Sequence, residues 1–316
     1  MNLLKPFLHL ASPAGRTGRL SVLIFHRVLP VPDPLFPTET DARRFTEVCG
    51  WLKSWFNVLP LDQAVSRLKV GSLPARAACI TFDDGYADNF QVAMPILQQH
   101  GLPATFFIAT GFLDGGRMWN DTIIEAIRSA TSPLLDFSLL NLGQHSIGTL
   151  AERRAAIGAL IDQIKYRPAA ERIGVTEQIA QIARVQLPQG LMMTSQQVKL
   201  MHQVGMQIGA HTVSHPILAQ LADDQAKDEI VKSKAFLEQL LDERVGLFAY
   251  PNGKPGEDYS PQTVGIIRSL DFDAAVSTQW GASKHGDDPM QIKRFTPWDG
   301  ARLRFGVRML GNLHRG

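Results

Sequence analysis

Two short runs of this sequence hold the residue types that metal-assisted hydrolysis needs. In Ile80-Thr81-Phe82-Asp83-Asp84-Gly85-Tyr86, an apolar run ends in two adjacent carboxylates and a glycine. Neighbouring acids are costly to place at a strand end unless a cation or a proton compensates them. Far downstream, Gln207-Ile208-Gly209-Ala210-His211-Thr212-Val213-Ser214-His215-Pro216 ends another apolar run in two imidazoles four positions apart. Imidazole nitrogen and carboxylate oxygen together suit zinc and similar divalent ions, and three protein ligands leave a position for water, the ligand count of a catalytic site. Adjacent side chains point in opposite directions in an extended segment, so one acid can bind the metal while the other faces the water. A divalent ion lowers the pKa of such a water towards about 7, and a carboxylate within reach takes its proton as general base. The chemistry expected is hydrolysis of an amide or ester, with a backbone N–H near Tyr250 or Asn252 sharing the developing negative charge.

The elements that must position these residues follow from hydrophobic periodicity. Apolar, β-rich runs occur at 21–25, 78–82, 104–109, 207–210, 245–250, 274–277 and 291–295, with helical patterns at about 41–56, 61–69, 87–100, 194–205, 216–242 and 260–270. Pro216 turns His215 away from the α region and is itself suited to a first helical position, so the imidazole pair is placed on a strand-to-helix loop with a helix from Pro216 to about Leu241. Alternating strands and helices predict an α/β fold with parallel strands, and about seven such units favour a closed or nearly closed barrel. One segment breaks the alternation. Residues 115–192 carry helical patterns at about 121–130, 150–163 and 170–186 and are read as a mainly helical insertion in a single domain spanning 1–316. His26, Asp83, Asp84, His211, His215 and Pro251-Asn252-Gly253 all fall at carboxyl ends of strands, the functional face of barrels and open α/β sheets.

Composition narrows the classes. A chain of 316 residues with 45% hydrophobic and 20% charged side chains is an ordinary globular protein with a sizeable core. A net charge of +2, from 32 basic and 30 acidic residues, disfavours a nucleic-acid partner. Cys49 and Cys79 read as reduced core thiols and lean towards a reducing compartment. The apolar run at the N-terminus is broken by Pro6 and His9 and makes a poor signal peptide, and no stretch is long enough to span a membrane. A short amphipathic segment touching a membrane surface is left open. The expectation for location is the cytoplasm, with the inner-membrane surface as its alternative.

Thr81-Phe82-Asp83-Asp84-Gly85-Tyr86 and His211-Thr212-Val213-Ser214-His215 resemble the first two motifs of the polysaccharide deacetylase family (NodB homology domain, carbohydrate esterase family 4). Leu23-Ile24-Phe25-His26-Arg27-Val28 and Phe248-Ala249-Tyr250-Pro251-Asn252-Gly253 are similar to segments of its exopolysaccharide N-deacetylase branch. The match covers roughly 20–110 and 194–298. The resemblance implies a distorted (β/α) barrel of about seven strands, TIM-barrel-like, and a divalent metal, usually zinc, held by Asp84, His211 and His215. Asp83 is then the general base of a hydrolase that removes acetyl from an N-acetylated glycan. Two departures stand out. No arginine precedes the proline of Phe248-Ala249-Tyr250-Pro251, and the family's late histidine, its usual general acid, has no clear counterpart. His26 is the candidate proton donor, with a merely orienting histidine as the plainer reading. Arg294 is a candidate to hold Asp83 ionised, with an ordinary ion pair as its alternative.

Tyr250, Pro251, Asn252 and Trp298 are the expected substrate contacts, aromatic rings near a polar cleft being suited to sugars. Trp119-Asn120-Asp121 opens the insertion and is a candidate lid for the site, with a helix start capped by Asn120 or Asp121 as the plainer reading. The other histidines read as surface or packing residues. Taken alone, Asp83-Asp84-Gly85 is a solvated turn; the downstream imidazoles argue against it. Two rivals stand beside the deacetylase reading. A metal phosphohydrolase is disfavoured by the paired histidines and the lack of a phosphate-cradling glycine loop. A non-catalytic glycan-binding member of a polysaccharide assembly system is motivated by the missing late histidine.

Overall fold

A computed structural model describes residues 4–296 and 299–315. The chain divides into two compact units, one formed by residues 1–31, 40–114 and 193–316, the other by 32–39 and 115–192.

The first unit is built on a nine-stranded sheet. Seven of its strands run parallel: β1 (Arg19–Phe25), β2 (Ala77–Phe82), β3 (Thr105–Ile108), β4 (Gln207–Ala210), β5 (Leu247–Ala249), β6 (Ala274–Val276) and β7 (Arg294–Phe295). They pair in chain order, and β7 returns to β1 through Val22↔Arg294 and Leu23↔Phe295. A parallel bridge between Val276 and Ile292 joins β6 to the residues just before β7, so the sheet nearly closes into a barrel. Two short strands, Asn57–Val58 and Ser283–Lys284, extend it at β2 and β1.

Strand periodicity sorts the side chains into two cores. Leu20, Val22, Ala77, Cys79, Phe107, Leu247, Ala249, Ala274, Val276 and Ile292 form one cluster inside the barrel. Their neighbours of opposite parity, among them Leu23, Phe25, Ile80, Phe82, Phe106, Ile108, Phe248 and Phe295, pack outward against the helices. Leu61, Ala64, Val65 and Leu68 of the helix Leu61–Lys69 join the inner cluster. The Leu61 N–H donates to Gln207 Oε1 and Lys69 Nζ to the Asp273 carbonyl. That helix therefore lies across the starts of the strands and covers the end opposite the reactive residues.

Two helical expectations need correction. The region after His215 is not helical from Pro216: Leu218–Gln220 is a single 3₁₀ turn, and the helix runs only over Asp223–Leu241. The apolar residues Ile217 and Leu218 are buried in an irregular connection, where the Ala219 N–H donates to the Asp258 carbonyl. The helix starts where Asp223 and Asp224 complement its dipole and Gln225 Oε1 accepts the Ala222 N–H. Likewise the helix Trp119–Ser129 is capped at Met118, which leaves Asn120 and Asp121 inside its first turn.

The second unit has its own apolar core, including Ile123, Ile127, Phe137, Leu160, Ile164 and Ile179. It consists of helices Trp119–Ser129, Leu150–Ile164 and Ala169–Ala183 with an antiparallel hairpin, Leu134–Asp136 and Gln144–Ser146. Thr149 and Glu152 form a capping box on the second helix. The segment 32–39 is tied in by Arg128, whose guanidinium donates to both Asp33 carboxylate oxygens at 3.0 and 2.7 Å.

Candidate active site

Strand parity decides where Asp83 goes. Counting along β2, residues 77, 79, 81 and 83 share the inward direction, and Ile292 and Arg294 do the same on the closing strand. Asp83 and Arg294 therefore meet at the barrel's carboxyl end. Arg294 Nη1 and Nη2 each donate to an Asp83 carboxylate oxygen at 2.7 Å, a bidentate pair with Arg294 fully buried. The remaining guanidinium donors reach the Ser277 carbonyl at 2.9 Å and Thr81 Oγ1 at 3.3 Å. Burial opposes ionisation of Asp83, but the charges of Arg294 and His211 outweigh it and hold the carboxyl below its usual range.

Asp84 would continue the alternation outward, but its φ of +76° turns the chain, and Gly85 follows at +92°. Aspartate tolerates this left-handed conformation better than most residues. Its Oδ1 then lies 3.4 Å from His211 Nε2 and 3.5 Å from His215 Nε2, and the ligand atoms of the three residues all fall within 4.8 Å of one another. The two rings stand edge to face, centroids 4.8 Å apart.

The loop that presents the imidazoles is held from three sides. His211 Nδ1 donates to the Ala249 carbonyl at 2.7 Å, which fixes the tautomer and leaves Nε2 free to coordinate. Glu229, on the helix Asp223–Leu241, accepts the Val213 and Ser214 N–H groups at 2.9 Å each and the Ser214 hydroxyl at 2.7 Å. Gly111 comes so close to the Val213 carbonyl, whose oxygen its N–H meets at 2.9 Å, that a Cβ at 111 would lie only 2.7 Å from it. These contacts support left-handed backbone at Thr212 (φ +65°) and His215 (φ +52°), which is strained for a β-branched threonine.

The electrostatics of this corner are set by burial and by two carboxylates among three imidazoles. Burial disfavours the charged form of Asp84, yet the imidazoles of His211, His215 and His26 hold its carboxyl well below the ordinary range. His215 is pushed down to about 4, because burial outweighs the pull of Asp84. His211 shifts the other way: burial lowers it, but Asp83 and Asp84 together raise it. Asp84 Oδ1 is itself buried and accepts no hydrogen bond. An unpartnered carboxylate oxygen facing two Nε2 atoms fits a divalent cation by donor type, and the neutral His215 is ready to ligate.

The other expected residues fall differently. His26 follows β1; its ring is exposed, and its charge acts on Asp83, Asp84 and His215. Asn89 Nδ2 donates to the His26 carbonyl at 2.9 Å, and Asp88 accepts the Val28 N–H and the Arg27 guanidinium. Tyr250 cannot offer its ring to a sugar. The ring is fully buried, stacked on Tyr259 at 3.8 Å, and its hydroxyl donates to the Met290 carbonyl. The Tyr250 N–H is also spent, on the Val276 carbonyl. Pro251 is buried, while Asn252 is half-buried at φ +57° and its carbonyl accepts from Thr278 Oγ1. Trp298 lies outside the described residues. Glu229, Asp88 and Asn89 support the site from positions that carry no motif signal, apart from the closeness of Asp88-Asn89 to Asp83-Asp84 in the sequence.

Comparison with known proteins accords with this geometry. The profile described as polysaccharide deacetylase matches residues 71–139 and 140–275. The YxkH protein of Bacillus subtilis (strain 168), named for the same family, is 21% identical over 281 residues, which cover 88% of this chain and 71% of that protein. Among solved structures, Streptococcus pyogenes deacetylase PplD in complex with acetate superposes with a TM-score of 0.62 at 20% identity, over 93% of this chain and 98% of that one. IcaB from Ammonifex degensii gives 0.62 at 19% identity, over 94% and 97%. At such identities the superpositions speak for the fold. The profile spans well over half of the sequence and includes both Asp83-Asp84 and His211-x3-His215, so the chain belongs to the polysaccharide deacetylase family.

Proposed function

We propose that this protein is a metal-dependent hydrolase that removes N-acetyl groups from a polysaccharide or a glycan intermediate of exopolysaccharide synthesis. The observation that carries the reading is the buried, unpartnered Asp84 Oδ1 facing His211 Nε2 and His215 Nε2, next to an Asp83 clamped by Arg294. Asp84, His211 and His215 would hold a divalent ion, zinc by donor chemistry, which when bound supplies Lewis acidity to the amide carbonyl and to water.

The chain's own residues supply the remainder. Asp83, kept ionised by Arg294, takes a proton from the attacking water as the C–O bond forms. The Arg294 fork also fixes the carboxylate plane, so the accepting oxygen does not turn away during the reaction. The Asn252 N–H is the backbone donor at this end of the barrel suited to the developing oxyanion, since that of Tyr250 is already bonded. His26, exposed and electrostatically linked to the two acids, protonates the amine as the C–N bond breaks. Acetate and a free amino sugar leave.

Metal content and acetate release from acetylated chitooligosaccharide, measured together, test this. Asp83→Asn should retain zinc and lose acetate release, whereas His211→Ala should lose both. Undiminished acetate release from either variant would overturn the assignment. Zinc bound stoichiometrically with no turnover on any acetylated glycan would instead favour a glycan-binding role.

A further inference from the structure

The first and last helices of the chain, Lys5–Ala11 and Arg302–Leu313, lie side by side on the flank of the barrel unit. Leu4 packs over Gly306, where a Cβ would collide with it, and both helices send apolar side chains inward: Leu8 from one, Phe305, Met309 and Leu313 from the other. Their outer faces are apolar as well. Phe7 and Leu10 are 60% and 81% exposed, and Leu303 and Val307 are 68% and 55% exposed. Spacings of three and four residues put each pair on one face of its helix.

Charge on these segments is equally one-sided. Residues 1–19 and 299–316 hold seven basic side chains and a single acid, Asp299, which is paired with Arg308, in a chain whose net charge is only +2, so the remainder is net negative. Arg304 falls on the outer face of its helix beside Leu303 and Val307, and both it and Lys5 are exposed. A surface of exposed leucine, valine and phenylalanine among arginines and lysine is complementary to an anionic lipid headgroup layer with acyl chains beneath it. A second copy of the chain fits less well, because a two-fold interface would set these cations against each other. A soluble polyanion would use the charges and leave the four apolar side chains without purpose.

We propose that this paired-helix face docks the protein peripherally on anionic membranes. The orientation places the barrel's flank, not its carboxyl end, against the lipid. Docking is independent of the metal site and of whether the protein turns over substrate.

Vesicle co-sedimentation of the full chain tests the proposal, with phosphatidylcholine vesicles against vesicles containing one-quarter phosphatidylglycerol. Binding should require the anionic lipid and weaken as salt rises. Lys5→Glu with Arg304→Glu should lower the partition coefficient by roughly 25-fold or more, at about five-fold per lost cation. Leu10→Ser with Leu303→Ser should lower it by about ten-fold, while both proteins keep the wild-type melting temperature and acetate release. No binding to anionic vesicles would overturn the proposal. So would vesicle binding unaffected by the serine pair, which points to a polyanion surface, or a wild-type dimer that the serine pair converts to monomer.

Discussion

The Asp83–Arg294 pair gives the sharpest quantitative prediction. Arg294 is fully buried and all its bonds are internal: two to Asp83 at 2.7 Å, one to the Ser277 carbonyl and one to Thr81 Oγ1. Arg294→Met removes the cation and leaves a buried carboxylate without its partner, which costs about 3–5 kcal/mol when one member of a buried pair is lost. For a chain of this length that is a fall of roughly 6 °C in melting temperature. Asp83→Asn strands the guanidinium and should cost a similar amount. The double variant removes both charges, so it should recover at least about 2 kcal/mol of the summed loss. Urea unfolding of the four proteins measures the cycle, and acetate release measured alongside separates stability from chemistry: the double variant should be less destabilised than the summed single losses, yet inactive. Stability effects that simply add, within about 0.5 kcal/mol, would refute the buried-pair reasoning.

Three further outcomes are expected. Glu229→Gln removes a charged acceptor that holds the Val213 and Ser214 N–H groups, so zinc affinity measured by chelator competition should fall by about 10–100-fold with little change in melting temperature; an unchanged affinity would show that the loop holds itself. Cys49, pushed up to about 12 by burial, and Cys79, raised further by burial and by Asp62, should not react with a thiol-specific disulfide reagent at pH 8 until the protein is unfolded. Asp33 is held below its ordinary value of 3.8 mainly by its hydrogen bond to Arg128. A lowered native pKa means that its stabilisation is complete above about pH 4 and is lost as the pH falls further. Asp33→Asn should therefore flatten the acid limb of the melting-temperature profile, and an unaltered limb would place the acid sensitivity elsewhere.

The rival readings weighed from the sequence differ in what the fold does to them. A solvated turn at Asp83-Asp84 is inconsistent with both carboxylates being buried. No arginine precedes the proline at Tyr250-Pro251, and the guanidinium that reaches the Asp83 carboxylate comes from Arg294 on the closing strand. Tyr250, expected to touch substrate, is instead a packing residue, because its position just past the end of β5, in the parity of Phe248, sends the ring outward into the helix layer with Phe248 and Tyr259.

Local chemistry was enough to locate the seven barrel strands, since runs such as Ala78-Cys79-Ile80-Thr81-Phe82 are apolar on both faces only when a sheet is covered on both sides. It was also enough to pick out Asp83, Asp84, His211 and His215, whose types are conspicuous at strand ends. What sequence alone left undecided depends on contacts between distant segments. Arg294 meets Asp83 only because barrel closure brings β7 beside β1 with the right parity. Glu229 meets the His211–His215 loop only through the packing of the helix Asp223–Leu241 against it, and Leu218 reads as part of a longer helix until its burial in the connection before Asp223 is seen. Periodicity reports which way a residue faces along its own element; which element stands opposite is set by closure of the sheet, a property of the whole chain.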